Sequence, residues 1–301
     1  MVARRAARRG VAPCARPPGR RSGCGNARLR ARGARAPGWR PLVSTTAFTG
    51  ERLPAADPEF VVDRERHLAA YRFACTHAAG RTVLDVGCGE GYGAALLADV
   101  ARRVLAIDRP EAITAAAGHY PRGALEFRAL DVGRLAALGE RFEVVVSFQV
   151  IEHLPDPAGF LAALAACCAP GGLVIVTTPN RLMSVSENPY HLREWTAAEL
   201  LALALPVLPT VRVLGVHGSE RVLAYERARG EAVARILRLD PLRLRRLLPA
   251  VVVGRVFPRL ARLVRRRLGA ARTLPEVTAA DFSVRPDALE RALDLVLVAP
   301  R

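Results

Sequence analysis

The chain runs to 301 residues, 51% of them hydrophobic, and its formal charge of +17 rests on 45 basic residues that are all arginine, since no lysine occurs. That length suits one large α/β domain with insertions, and so apolar a composition excludes a chain that is disordered throughout. Six cysteines without a CxxC spacing argue against a zinc ribbon or a dithiol redox site and fit a reducing cytosol; no apolar run approaches the roughly 18 residues of a spanning helix.

In chain order, residues 1–42 read as a disordered Arg-rich tail. Its first 40 residues hold twelve arginines and no acid, and the basic start lacks the apolar stretch of a secretory signal. Asp57-Pro58 has the form of a helix start, with an N-cap and a proline in the first turn, and Gly80 closes that helix. An alternation then sets in. Strands are predicted over 81–87, 103–108, 125–131, 141–149 and 172–178. Helices are predicted over 91–101, over 110–120 and from Asp156-Pro157 to Gly171-Gly172, with Phe160, Leu161, Leu164 and Cys168 on one face. A helix over 196–205 and a strand over 210–216 follow. Residues 221–273 break the rhythm, with fifteen arginines against three acids. In them Val256, Phe257, Leu260, Leu263, Val264 and Leu268 share a helix face, with Arg259, Arg262 and Arg266 opposite. The chain returns in the strand "ALDLVLVAP". The expectation is an α/β fold: a Rossmann-like, doubly wound, mostly parallel seven-stranded sheet, with a basic helical insertion before the last strand. Its core takes 43–220, the insertion 221–273, and the last strand or strands 274–301.

Ligands of such sheets bind at the carboxyl ends of strands, near the switch point. In "VLDVGCGEGYG", Gly87, Gly89 and Gly91 end the first strand and let a ligand approach bare backbone. Asp108 ends the second strand, where a carboxylate accepts both hydroxyls of a ribose. The dinucleotide pattern G-x-G-x-x-G fails from Gly87, because Tyr92 stands at its third glycine. Asp85, two residues before Gly87, would repel a pyrophosphate and attract a cationic amino group. S-adenosylmethionine offers ribose hydroxyls, an amino group and a sulfonium, with no phosphate.

Here the sequence resembles the class I S-adenosylmethionine-dependent methyltransferases, over roughly residues 46–301. "VLDVGCGEGYG" is similar to their first motif, "AID" to the stretch ending in the ribose-binding acid Asp108, and "LDV" to the adenine-contacting turn with Asp131 and Val132. "FEVVVSFQVIEHLPDP" is similar to the fourth strand and the segment after it, which brings Gln149 to the cofactor. "TGERLP", "YRFA" and "NPYHLREWT" resemble a bacterial subgroup linked to glycan biosynthesis. The resemblance implies a cytoplasmic enzyme, peripheral to a membrane where its acceptor is lipid-linked. It further implies that Asp85, Gly87, Gly89, Asp108, Asp131, Val132 and Gln149 bind S-adenosylmethionine.

A sulfonium is a good leaving group, so catalysis is mostly alignment, and a hydroxyl acceptor adds the need for a base. Glu152 and His153 after the fourth strand, and His191 after the fifth, are the catalytic candidates. "QVIEH" resembles the E-x-x-E-H segment of ubiquinone-pathway and small-RNA 2′-O-methyltransferases, where two Glu and the His help bind a metal. This chain has Gln149 in place of the first Glu, so no metal is expected. The expected acceptor is a sugar-containing or lipid-linked small molecule. Residues 221–273 are predicted to meet an anionic membrane surface. Nucleic acid fits less well, because aromatic residues are scarce among these arginines. The competing readings are an RNA 2′-O-methyltransferase, a nicotinamide-dependent oxidoreductase, which Asp85 opposes, and a non-catalytic scaffold with the same fold.

Overall fold

A computed structural model describes residues 57–120, 123–184, 188, 190–238, 256, 259–267 and 276–301. The predicted tail and parts of the insertion lie outside the described residues.

The chain opens on a turn of 3-10 helix, Pro58–Phe60, capped by the Asp57 carboxylate on the Glu59 N–H at 3.0 Å. It continues as α1 (Val61–Ala78). The predicted alternation follows: β1 (Thr82–Val86), α2 (Tyr92–Ala98), β2 (Arg103–Asp108), α3 (Pro110–Ala117), β3 (Leu125–Ala129), β4 (Phe142–Phe148), α4 (Pro157–Cys167), β5 (Cys168–Pro179), α5 (Ala197–Ala204) and β6 (Arg212–Gly218). Then come α6 (Glu220–Leu237), a helix over 259–267 that we label α7, β7 (Phe282–Arg285) and β8 (Asp294–Pro300).

The strands form one sheet in the order β3-β2-β1-β4-β5-β8-β6-β7. β1 to β5 pair in parallel, while β8 runs antiparallel to both β5 and β6, and β7 antiparallel to β6. Among the described residues the sheet therefore holds eight strands, one more than the sequence suggests. β7 is four residues long with one buried position, too short to carry a period-2 signal. The order reverses between β1 and β4, which puts the switch point at the glycine loop after β1. The central strands are buried on both faces, as their runs of Val and Leu require. One face packs under α1, α2 and α6 and the other under α4 and α5.

α4 stops at Cys167, short of the predicted Gly171-Gly172, and Cys168 starts β5 while staying in the same buried cluster as Phe160, Leu161 and Leu164. The two glycines serve the strand instead. Gly171 takes φ +75°, and a Cβ on Gly172 would lie 2.8 Å from the Glu143 carbonyl of β4.

Ion pairs tie the insertion to the start of the fold. Asp63 on α1 binds Arg229 of α6 at 3.0 Å and Arg265 of α7 at 3.1 Å. The Arg265 guanidinium also lies over the Phe60 ring, 4.4 Å from its centroid. Arg262 and Arg266 pair with Asp57 and Glu59. Acids on α1 and just before it thus pair with three arginines of α7, of which Arg265 is largely buried and Arg266 stays exposed. Val264 is buried, whereas Val256, Leu260 and Leu263 are 42%, 38% and 42% exposed; Phe257 and Leu268 lie outside the described residues. No described helix is long and apolar enough to cross a membrane.

Candidate active site

The glycine loop leaves β1 with Gly87, Gly89 and Gly91 all at positive φ. Their surroundings differ. A Cβ at Gly87 would strike the Val150 side chain at 2.4 Å, and one at Gly91 would meet Phe127 at 2.8 Å, so these two are glycine for packing. At Gly89 nothing lies within 4 Å of the Cβ position, which leaves room for a ligand against the backbone. Asp108 ends β2 beside this opening. Its two oxygens accept the Gly89 N–H at 2.8 Å and the Arg109 N–H at 2.6 Å. Each carboxylate oxygen has a second lone pair, so the group that fixes the loop can still accept ribose hydroxyls.

Asp85 is fully buried beneath α1, and the Tyr71 hydroxyl donates to it at 3.1 Å. Burial pushes its carboxyl up to about 7, against the lowering effect of the Tyr71 bond. A cation bound beside Asp85 would draw the carboxyl back to its ionised form. An open backbone cradle between one buried and one half-buried carboxylate fits an adenosyl donor with a free amino group. Asp131 caps the turn Val132–Leu138 by accepting the Gly133 N–H at 2.8 Å, and stays exposed at the carboxyl end of β3.

Gln149 takes a left-handed φ of +58°, uncommon outside glycine. That conformation turns the chain sharply at the end of β4. The Gln149 N–H donates to the Thr177 carbonyl at 3.0 Å, and its amide reaches the Thr177 hydroxyl and Asp294. The turn carries Glu152 and His153 into the loop after β5. Glu152 is fully buried, and one of its oxygens accepts from the Thr178 hydroxyl at 3.2 Å while the other has no hydrogen-bond partner. Burial pushes this carboxyl up to about 8. The Glu152 carbonyl accepts the N–H groups of Leu192 and Arg193, which joins the two candidate loops. His153 Nδ1 sits 2.9 Å from the Tyr190 carbonyl, and its ring meets His191 edge-on with centroids 4.9 Å apart. His191 Nδ1 is 2.6 Å from the Glu194 carboxylate, and its Nε2 is 2.8 Å from the Asn188 amide.

The three predicted catalytic residues therefore meet. Their donor atoms lie within 4.8 Å of one another, the one group among the described residues with the spacing of a divalent-cation site. One carboxylate and two imidazoles suit a borderline cation such as Zn²⁺, Mn²⁺ or Fe²⁺ better than Mg²⁺.

Sequence reasoning missed Tyr71, Thr177, Thr178 and Asp294. Asp294 is 2% exposed at the head of β8, held by Arg66 at 3.2 Å. A lone acid opening the apolar run of β8 is the signal that could have found it.

A family model described as a methyltransferase domain matches residues 61–207. A "Probable S-adenosylmethionine-dependent methyltransferase" of Mycobacterium tuberculosis is 34% identical over 275 residues, which cover 87% of this chain and 91% of that protein. One of Mycolicibacterium smegmatis is 43% identical over 169 residues, 54% of this chain, and the match spans 65% of its length. A ubiquinone biosynthesis O-methyltransferase of Methylobacterium sp. is 37% identical over 35% of this chain and 43% of that one. Among solved structures, a SAM-dependent methyltransferase of Thermotoga maritima matches with TM-score 0.50 and 12% identity, over 80% of this chain and 92% of that one, a likeness of fold alone.

Proposed function

The chain belongs to the S-adenosylmethionine-dependent methyltransferases, and from that premise we propose that it methylates an oxygen of a sugar-containing or lipid-linked small molecule. When bound, S-adenosylmethionine supplies a methyl group on a sulfonium leaving group. Asp85 pairs with the amino group of the donor, and the Gly87–Gly89 backbone gives its chain room. Asp108 accepts the ribose hydroxyls, Asp131 and Val132 meet the adenine, and Gln149 closes the floor from β4. His153 takes the proton of the acceptor hydroxyl. His191, held by Glu194, positions the acceptor, and Glu152 ties both loops together through its carbonyl. The alignment of nucleophile, methyl and sulfur supplies most of the rate, and the base adds about 10²–10⁴-fold. A lipid-linked acceptor would place the enzyme at the cytoplasmic surface of a membrane.

The observation that supports oxygen as the target is the convergence of Glu152, His153 and His191 beside the strained turn at Gln149. The test is transfer of labelled methyl from S-adenosylmethionine into fractionated extract of the source cells. The reading expects label in glycolipid or polysaccharide, recovered as a methyl ether on a sugar. Label in RNA would move the assignment to a 2′-O-methyltransferase. Cofactor binding with no labelled product in any fraction would favour a scaffold.

A second reading has the same three side chains hold a divalent cation that acidifies the acceptor hydroxyl. It is favoured by their spacing and by the unpartnered Glu152 oxygen. Loss of transfer on chelation, restored by Mn²⁺ or Zn²⁺, would establish it.

A further inference from the structure

The ion pairs of α7 orient the helix with Leu260 and Leu263 facing solvent. Seven large hydrophobic residues are exposed among the described residues, and three of them fall within eight positions: Leu260 and Leu263 on α7, and Val256 just before it in sequence. Single exposed apolar residues need no explanation, but a clustered stripe does. The helix cannot simply roll to bury it. Arg262 is held 3.5 Å from Asp57, Arg266 2.6 Å from Glu59 and Arg265 3.1 Å from Asp63, and Val264 is packed beneath. Beside the stripe lie the exposed side chains of Arg259 and Arg267, in a segment with fifteen arginines and three acids. Aliphatic side chains flanked by guanidiniums match one kind of surface: acyl chains beneath anionic headgroups. Nucleic acid would call for stacking residues, and the described part of this face has none.

We propose that α7 docks the enzyme on anionic phospholipid, with Leu260 and Leu263 entering the interface and the flanking arginines meeting headgroup phosphates. The proposal narrows to α7 the membrane contact that the sequence suggests for residues 221–273. It stands whether or not the acceptor itself is lipid-linked.

The test is flotation of the full chain with vesicles of phosphatidylcholine, with and without phosphatidylglycerol. The parent is expected to float with the anionic vesicles, weakly or not at all with the neutral ones, and less as salt rises. The double variant L260D/L263D should lose about tenfold or more in bound fraction. Both positions are exposed, so its affinity for S-adenosylhomocysteine should equal the parent's, which shows that the fold is intact. A parent that ignores anionic vesicles, or a variant that floats equally well, overturns the proposal. So does equal binding to both vesicle types. If the parent instead self-associates in solution and L260D/L263D restores the monomer, the stripe belongs to a second copy of the chain. If the parent binds RNA and not vesicles, the arginines serve nucleic acid.

Discussion

Replacing Asp63 by Ala removes the carboxylate on which the insertion is pinned. In the parent it accepts from Arg229 at 3.0 Å and from two nitrogens of Arg265 at 3.2 and 3.1 Å, with its side chain 9% exposed. Breaking a buried pair by deleting one partner costs about 3–5 kcal/mol, because the other charge stays buried without compensation. Here the loss is softened, since Arg229 keeps Glu226 at 3.3 Å and Arg265 keeps the Phe60 ring. We expect about 3 kcal/mol, or a fall in melting temperature of about 6–9 °C for a domain of this size. The pH dependence carries a sign. Burial alone would raise the Asp63 carboxyl, but the Arg265, Arg229 and Arg66 guanidiniums outweigh it and hold the group well below the usual carboxylate range. A depressed folded pKa stabilises fully above the unfolded value of about 3.9, and the contribution is lost as pH falls through the folded one. The gap between parent and D63A should therefore be widest near neutrality and narrow below about pH 4. Scanning calorimetry from pH 3 to 8 (about five units of range) measures both. A variant as stable as the parent, or a gap that widens in acid, would refute the pinning.

Asp108→Ala should weaken S-adenosylmethionine binding by about tenfold or more in titration calorimetry, since it removes both the ribose acceptor and the anchor of the Gly89 N–H. Asp85, raised to about 7, must ionise to pair with the amino group of the donor, so affinity should drop by up to about tenfold per pH unit below 7. Tyr71→Phe deletes a bond to the ionised form and should move that profile to higher pH. Binding of 5′-methylthioadenosine, which lacks the amino group, should stay flat with pH. His153→Ala should cut methyl transfer by about a hundredfold with cofactor affinity unchanged, read as label incorporated per enzyme under saturating donor.

Much of the sheet was legible because its central strands are buried on both faces and read as unbroken apolar runs, 141–149 above all. The carboxylates at Asp85 and Asp108 were legible because a strand end fixes where a side chain must point, and both stand where the alternation puts them. What the sequence hid depends on contacts between distant segments. β7 exists because β6 offers it an edge, without a pattern of its own. Tyr71 reads as one more apolar residue of α1 until it is seen over Asp85. The ion pairs of α7 were hidden because amphipathic patterning says which residues share a face and not what that face meets. Three acids about 200 positions earlier hold its arginines, and helical periodicity carries no trace of them.

The arginine–carboxylate clamp sets a limit on how far this enzyme can be pared down. Trimming residues 239–275 to leave a tidy minimal catalytic core would strip Asp57, Glu59 and part of the Asp63 pairing of their counter-charges at once. Those acids belong to the turn and helix whose next coils carry Tyr71 over Asp85. Such a cut is expected to destabilise that start of the chain and, through α1, the wall of the donor pocket that holds Tyr71.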